Sequence, residues 1–415
     1  MKRGQRQLTC VSLLVVACGG APWAEPNLAL AGPTEQDQAA VVAGNTEFAL
    51  DLYARLRTQD GNLCLSPYSI STALAMTYAG ARSETATQMA DVLHFSLEHE
   101  RLHPAFAALM ASDRATADDS GYDLHIANAL WGQKGYGFLE EFLVLNREHY
   151  GAGFREVDFV QATEQARQTI NRWVADQTQQ MIKELLRKGD LDPADVLVLT
   201  NAIYFKGDWA SRFDPQRTHD APFRISAKEQ VVTPIMSQLR KFPFAAGDDL
   251  DVLELPYDGD RLSMVLLLPK KVDGLPAVEE SLNKENLERW LGRLRQQPVR
   301  VGLPRFQLDS RFDLVKTLEA MGMIDAFSGT KADFSGMTGR RDLFIGMVIH
   351  QARVDVNEEG TEAAAATVVK MKRGPAPAAF VADHPFLFLI RDKQSGSILF
   401  IGRVVNPKGS LPQPV

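Results

Sequence analysis

The stretch HQARVDVNEEGTEAAAATVVKMKRGP, residues 350–375, decides how the rest of this chain is read. It begins as a strand, with Val354 and Val356 alternating with polar neighbours, and passes Glu358, Glu359 and Gly360. It then runs small through Ala363, Ala364, Ala365 and Ala366, and ends in Lys370, Lys372 and Arg373 before Gly374-Pro375. Taken two residues at a time, one face carries Thr361, Ala363, Ala365, Thr367, Val369 and Met371. The other carries Glu362, Ala364, Ala366, Val368, Lys370 and Lys372. Every charge from 361 to 372 falls on one face, as a half-buried strand requires. Four consecutive alanines nevertheless favour helix over strand. The segment has the pattern of a strand without being committed to one. On the alanines alone, an Ala-rich linker is the simpler reading.

Working outward, further motifs follow in order. They are FALDLY (48–53), NLCLSPYSISTALAMTYAGARSET (62–85), INRWVADQT (170–178) and TNAIYFKGDW (200–209). ADFSGM (332–337), FVADHPFLFLI (380–390) and SILFIGRVVNP (397–407) complete the series. Together with EEGTEAAAAT, they resemble the serpin family of serine protease inhibitors over residues 45 to 407. The resemblance implies an α+β serpin fold: large mixed β-sheets, surrounding helices and an exposed reactive-centre loop.

It also implies roles for particular residues. Glu358, Gly360, Thr361, Glu362, Ala363, Ala364, Ala365, Ala366 and Thr367 match the loop's hinge. In the family this loop, once cleaved, enters a large sheet as a new strand, and each inward side chain slips between strands already packed. A proline would lack the ladder N–H, and an inward charge would be buried unpaired. Residues 361–372 contain neither, so the loop is competent to insert. Ser66, Ser69, Asn201 and His350 match the buried polar cluster, the shutter, where that sheet parts. Trp209 matches a tryptophan beneath the sheet's upper opening, the breach, and Glu358 a position whose salt bridge holds the loop's root. Ordinary core roles for Trp209 and His350 are compatible with both assignments.

The bond offered to a protease lies in the basic cluster. The commonest family spacing from Gly360 selects Gly374, but the following Pro375 blocks most serine proteases. One residue earlier gives Arg373-Gly374, the preferred bond, with Lys372 second and Lys370 or Met371 behind. An arginine there suits the carboxylate-lined pocket of a trypsin-like serine protease. The implied activity is suicide inhibition through a covalent acyl-enzyme, by a monomer that is not an enzyme and needs no cofactor. A non-inhibitory serpin-fold binding or chaperone-like protein is the alternative, against which the clean Thr361-Ala363-Ala365-Thr367 face speaks.

Composition is that of a globular protein: 415 residues, 45% hydrophobic and 23% charged. A net charge of -7 argues against a general nucleic-acid surface. The basic stretches Arg240-Lys241, Lys270-Lys271 and 293–300 read as solvated faces. Lys2, Arg3 and Arg6 precede an apolar run at 8–17 that is too short to span a bilayer. Its end, Val15-Val16-Ala17-Cys18-Gly19, resembles a bacterial lipobox with Cys18 as the lipidated residue. The expected organisation is therefore a lipoprotein signal at 1–17, a flexible tether at 18–44, the inhibitor domain at 45–408 and a tail at 409–415. The expected location is an outer-membrane lipoprotein, periplasmic or at the cell surface, or a secreted protein cut after Ala24 or Ala31. Of Cys10, Cys18 and Cys64, Cys64 alone stays in the folded domain, an inert thiol in an apolar run.

One motif competes. HERLH, residues 99–103, fits the H-E-x-x-H zinc-protease pattern. That chemistry needs both histidines on one continuous helix with Glu100 as base and a third ligand. Pro104 follows at once and predicts a new helix starting there, so no metal is expected.

Overall fold

The computed structural model describes residues 32–117, 121–151, 153–359 and 376–409; the hinge from Gly360 onward and the bonds around Arg373 lie outside them, as do Cys18 and the signal. In chain order the described strands are β1 (Leu63–Leu65), β2 (Tyr122–Gln133), β3 (Phe154–Val157), β4 (Leu197–Gly207), β5 (His219–Arg224), β6 (Gln230–Ala246) and β7 (Leu250–Pro256). They continue with β8 (Leu262–Pro269), β9 (Arg295–Pro304), β10 (Phe306–Asp313), β11 (Met347–Val356), β12 (Ala378–Val381), β13 (Phe386–Asp392) and β14 (Ile398–Val404). The helices that matter below are α1 (Glu35–Leu56), α2 (Pro67–Tyr78), α3 (Ser83–Leu93), α4 (His99–Ala117), α5 (Glu140–Tyr150) and α6 (Phe159–Gln177).

Two mixed sheets result. The larger runs β1-β14-β13-β8-β7-β6-β9-β12, with β5 added on β6. The other has five strands in the order β10-β11-β4-β2-β3. Its strand β4, LVLTNAIYFKG, is apolar almost throughout because both faces are covered. β10 shows the opposite pattern, buried residues alternating with exposed or half-exposed ones, as expected of a strand with one wet face. α2 is buried along its whole length, which explains its run of Ala, Ile, Leu and Met.

The seam between β4 and β11 is parallel, while both strands are antiparallel to their outer neighbours β2 and β10. It pairs Met347 with Val198 and continues to Asp355 with Lys206. A chain leaving the end of β11 and turning back into this seam would run antiparallel to both sides. One parallel ladder would then become two antiparallel ones, the slightly stronger pairing.

Two expectations need correction. The tether does not extend to Gly44, since α1 begins at Glu35. Thr34 and Asp37 form a reciprocal capping box, each side chain accepting from the other's backbone N–H at 3.1 and 3.0 Å. Val41, Val42, Phe48, Leu52 and Leu56 then bury one face. The Ala, Gln and Glu that suggested a tether are strong helix formers once such a face exists. Nor does a helix start at Pro104: α4 runs through it from His99. Proline there removes one helical hydrogen bond, but Leu102, Ala105, Phe106 and Leu109 are buried on the core side and hold the helix together. Tertiary packing overrides the local penalty.

Thr34→Ala is expected to cost about 1 kcal/mol of stability. A chain begun at Asn45 should melt well below one begun at Pro33, having lost the buried Val41 and Val42. Thermal unfolding of the three proteins checks both statements.

Candidate functional site

The seam's polar core is built from its backbone register. Phe312 on β10 pairs with His350 on β11, His350 with Asn201 on β4, and Asn201 with Asn128 on β2. One row thus crosses four strands. Below it, Ser66 caps α2 and accepts from the Ser69 N–H at 3.2 Å. The Ser66 N–H in turn donates to His350 Nε2 at 3.1 Å. This fixes the tautomer: Nδ1 carries the proton and donates across the seam to Asn201 Oδ1. Asn201 Nδ2 donates to Ser69 Oγ at 2.6 Å and also to Asn128 Oδ1. Ser69 Oγ donates to Asn128 Oδ1 at 3.1 Å.

Ser66, Ser69, Asn201 and His350 are all at most 1% exposed. The structure therefore brings together all four residues expected there, and adds Asn128 and the ring of Phe312, stacked on His350 at 6.3 Å. Asn128 was legible in principle, as a polar residue inside the apolar strand HIANALW, though only register assigns it to this row. Burial drives the His350 imidazole down to about 3, so the ring is neutral at physiological pH.

Within this network a single side-chain bond, His350 to Asn201, crosses the seam. The bonds to Ser66 anchor β11 to the N-terminus of α2, and those to Ser69 and Asn128 anchor β4. Opening the seam costs that one bond and the backbone ladder, and leaves both sides tied to the same helix end. Apolar side chains interdigitated across the seam would lose their packing as a whole.

The loop's root is held at the top of the seam. Trp209 is buried, stacks on Tyr257 at 4.6 Å, and donates from Nε1 to the Asn357 carbonyl at 2.8 Å. Its backbone N–H reaches the Glu359 carbonyl at 3.4 Å. Trp209 thus packs in the core and also holds the backbone at the loop's root. Glu358, 7% exposed in its side chain, takes the Arg305 guanidinium at 2.6 Å and the Thr218 hydroxyl. Burial raises the Glu358 carboxyl, but Arg305 and Thr218 outweigh it and hold the group below the usual range. Glu359 pairs instead with Lys206. Adjacent carboxylates thus serve separate partners, which removes any joint acid–base role. Arg305, Thr218 and Lys206 were not foreseen from sequence, because each comes from a strand or turn far away in the chain.

The model of the serpin (serine protease inhibitor) family matches residues 43–407. The chain belongs to the serpin family. It is 48% identical to the leukocyte elastase inhibitor of Bos taurus over 377 residues, covering 88% of this chain and 99% of that protein. With the Homo sapiens leukocyte elastase inhibitor the identity is 45% at the same coverage. Among solved structures, uncleaved ovalbumin superposes with a TM-score of 0.82 at 31% identity, covering 89% of this chain and all of ovalbumin. Maspin superposes with a TM-score of 0.82 at 27% identity, covering 90% of this chain and all of maspin. The serpin fold expected from the motifs is the fold observed, and the chain is a protease inhibitor of this family, not an enzyme. The Arg373 bond, the hinge beyond Glu359 and the Cys18 anchor lie outside the described residues.

Removing the His350 side chain orphans Ser66 N–H and Asn201 Oδ1, so His350→Ala is expected to cost about 2–4 kcal/mol. It should also speed polymerisation on native gels. The neutral ring makes the fold acid-sensitive: unfolded histidine titrates near 6.5 and the folded one near 3. Its stabilisation is complete above about pH 6.5 and drains away as pH falls toward 3. Melting temperature against pH should be steeper for the wild type than for His350→Gln in that window. Glu358→Ala should cost about 1 kcal/mol, since it removes the bonds to Thr218 and to a half-exposed Arg305 that water can solvate, measured by denaturant unfolding.

Proposed function

We propose that this serpin is a suicide inhibitor of trypsin-like serine proteases, with Arg373 as bait. The observation that carries the reading is the parallel β4–β11 seam, crossed in its polar core by one exchangeable side-chain bond and headed by the pinned root at Glu358. The sequence that follows, with Thr361, Ala363, Ala365 and Thr367 on one face, has the small side chains that such a seam admits.

The chemistry runs as follows. The protease serine attacks the Arg373 carbonyl carbon and the bond to the Gly374 nitrogen breaks. The leaving amine takes the proton that the protease histidine removed from the serine, and Arg373 is left as an ester on the protease. Water would complete hydrolysis. Insertion of the freed segment as a strand between β4 and β11 competes with that step and drags the protease along. About a dozen residues entering the sheet supply a driving force on the order of 1 kcal/mol net per ladder bond, before packing.

A second reading rests on the relatives named as leukocyte elastase inhibitors. An elastase pocket takes small apolar side chains, which would move the bait from Arg373 toward Met371. Both readings keep the trap.

For location we propose export with acylation at Cys18. A single lipid-modified terminus would tether the protein to a membrane without spanning it. The lipobox pattern supports this, and the family match starts only at residue 43.

Mixing the protein with trypsin, and separately with pancreatic elastase, followed by a denaturing gel, tests the inhibitor reading. A boiling-resistant band at the summed mass with trypsin, absent in Arg373→Ala, is the expected result. The band with elastase alone would move the bait to Met371, and cleavage without any band would favour the non-inhibitory serpin. Radiolabelled palmitate fed to a bacterial host should label the wild type and not Cys18→Ser; an unlabelled, secreted wild type would replace the anchor with simple secretion.

A further inference from the structure

HERLH fails as a protease site, but the continuous α4 gives its histidines another use. His99 and His103 lie one turn apart, with His99 Nδ1 only 3.1 Å from His103 Nε2. The other nitrogen of His103 sits 2.6 Å from the Tyr150 hydroxyl on α5. His99 stacks flat on Tyr78, the last residue of α2, at 4.4 Å and 5°. His103 and Tyr150 are buried, and His99 is half-buried. Both rings are therefore held in place by aromatic neighbours from two other helices.

The geometry points to a two-histidine site for a divalent late transition-metal ion such as Zn2+, with His99 Nδ1 and His103 Nε2 as ligands. Two imidazole nitrogens at the usual distance from a tetrahedral zinc stand about 3.3 Å apart. The observed separation needs to open by only a few tenths of an ångström. Tyr150 supplies what a ligating histidine ordinarily has, a hydrogen-bond partner on the far nitrogen that fixes its tautomer and orientation. Binding exchanges the hydrogen bond between the rings for two metal–nitrogen bonds. Both rings stay neutral, and the His99 proton moves from Nδ1 to Nε2 through solvent.

Charge around the pair is mixed. Glu98 and Glu100 act favourably on a cation at His99, and Arg82 opposes them. His149 stacks near His103 at 6.4 Å, but among the described residues no group of three ligating side chains exists. Water must complete the shell, so the site is neither a closed structural zinc centre nor a catalytic one. The ion has a structural consequence of its own. Pro104 cannot donate to the Glu100 carbonyl, which leaves a gap in the helix ladder beside His99 and His103. A metal bridging i and i+4 staples that turn.

Calorimetric titration of the tag-free protein with zinc chloride tests the site, together with melting temperature with and without zinc. One equivalent should bind and raise the melting temperature. His99→Ala, at a half-buried position and with its fold checked by circular dichroism, should lose both effects, while His149→Ala keeps them. Absence of binding in the wild type would overturn the assignment. So would binding that survives in His99→Ala or disappears in His149→Ala.

Discussion

The seam between β4 and β11 is the constraint on which the rest of this molecule depends. Two parallel strands, β4 buried on both faces and β11 buried on one face with the other half-buried beyond His350, are joined by a ladder and, in the buried polar row, by one side-chain bond from His350 to Asn201. A central strand pair is ordinarily sealed with branched apolar side chains that resist separation. Here the middle of the seam carries an amide and an imidazole, both satisfied and both able to take new partners. The cost is acid sensitivity, since the neutral imidazole is stable only while it stays unprotonated. In the proposed mechanism the gain would be a sheet that holds closed and can still part. α2 is the fixed point, because its first turn binds β11 through Ser66 and β4 through Ser69.

The top of the seam complements its middle. Glu358 and Glu359 are consecutive yet pull toward different neighbours, Arg305 with Thr218 on one side and Lys206 on the other. Trp209 grips the backbone on both sides of Glu358, at Asn357 and Glu359. The described chain thus ends, at Glu359, in a firmly held root at the top of the seam. In the proposed mechanism these contacts set where insertion begins, and the seam's polar row sets how much resistance it meets. In the same mechanism the bait residue would decide which protease is caught, independently of both.

Much of this was legible in the sequence because it is carried by local patterns. The serine pair around Pro67 and the lone His350 in an apolar strand each announce themselves. What was not legible depends on register between distant strands. Asn128 meets Asn201 only because β2 and β4 pair as they do, and Arg305 meets Glu358 only because β10 begins beside the end of β11. Pro104 misled for a related reason. Its local cost is real, but buried Leu102, Phe106 and Leu109 outweigh it, and no local rule contains them. The start of α1 was hidden because Ala, Gln and Glu suit a tether and a helix equally until Val41 and Val42 find a core.

The most direct test of the central claim is the melting temperature of the protein before and after its loop is nicked between residues 361 and 375 by papain, the fragments staying associated. If the seam admits the freed segment as a new strand, the nicked protein melts far above the intact one, and β4 and β11 amides exchange more slowly with deuterium. A nicked protein that melts at or below the intact temperature, with unchanged exchange along the seam, would contradict it.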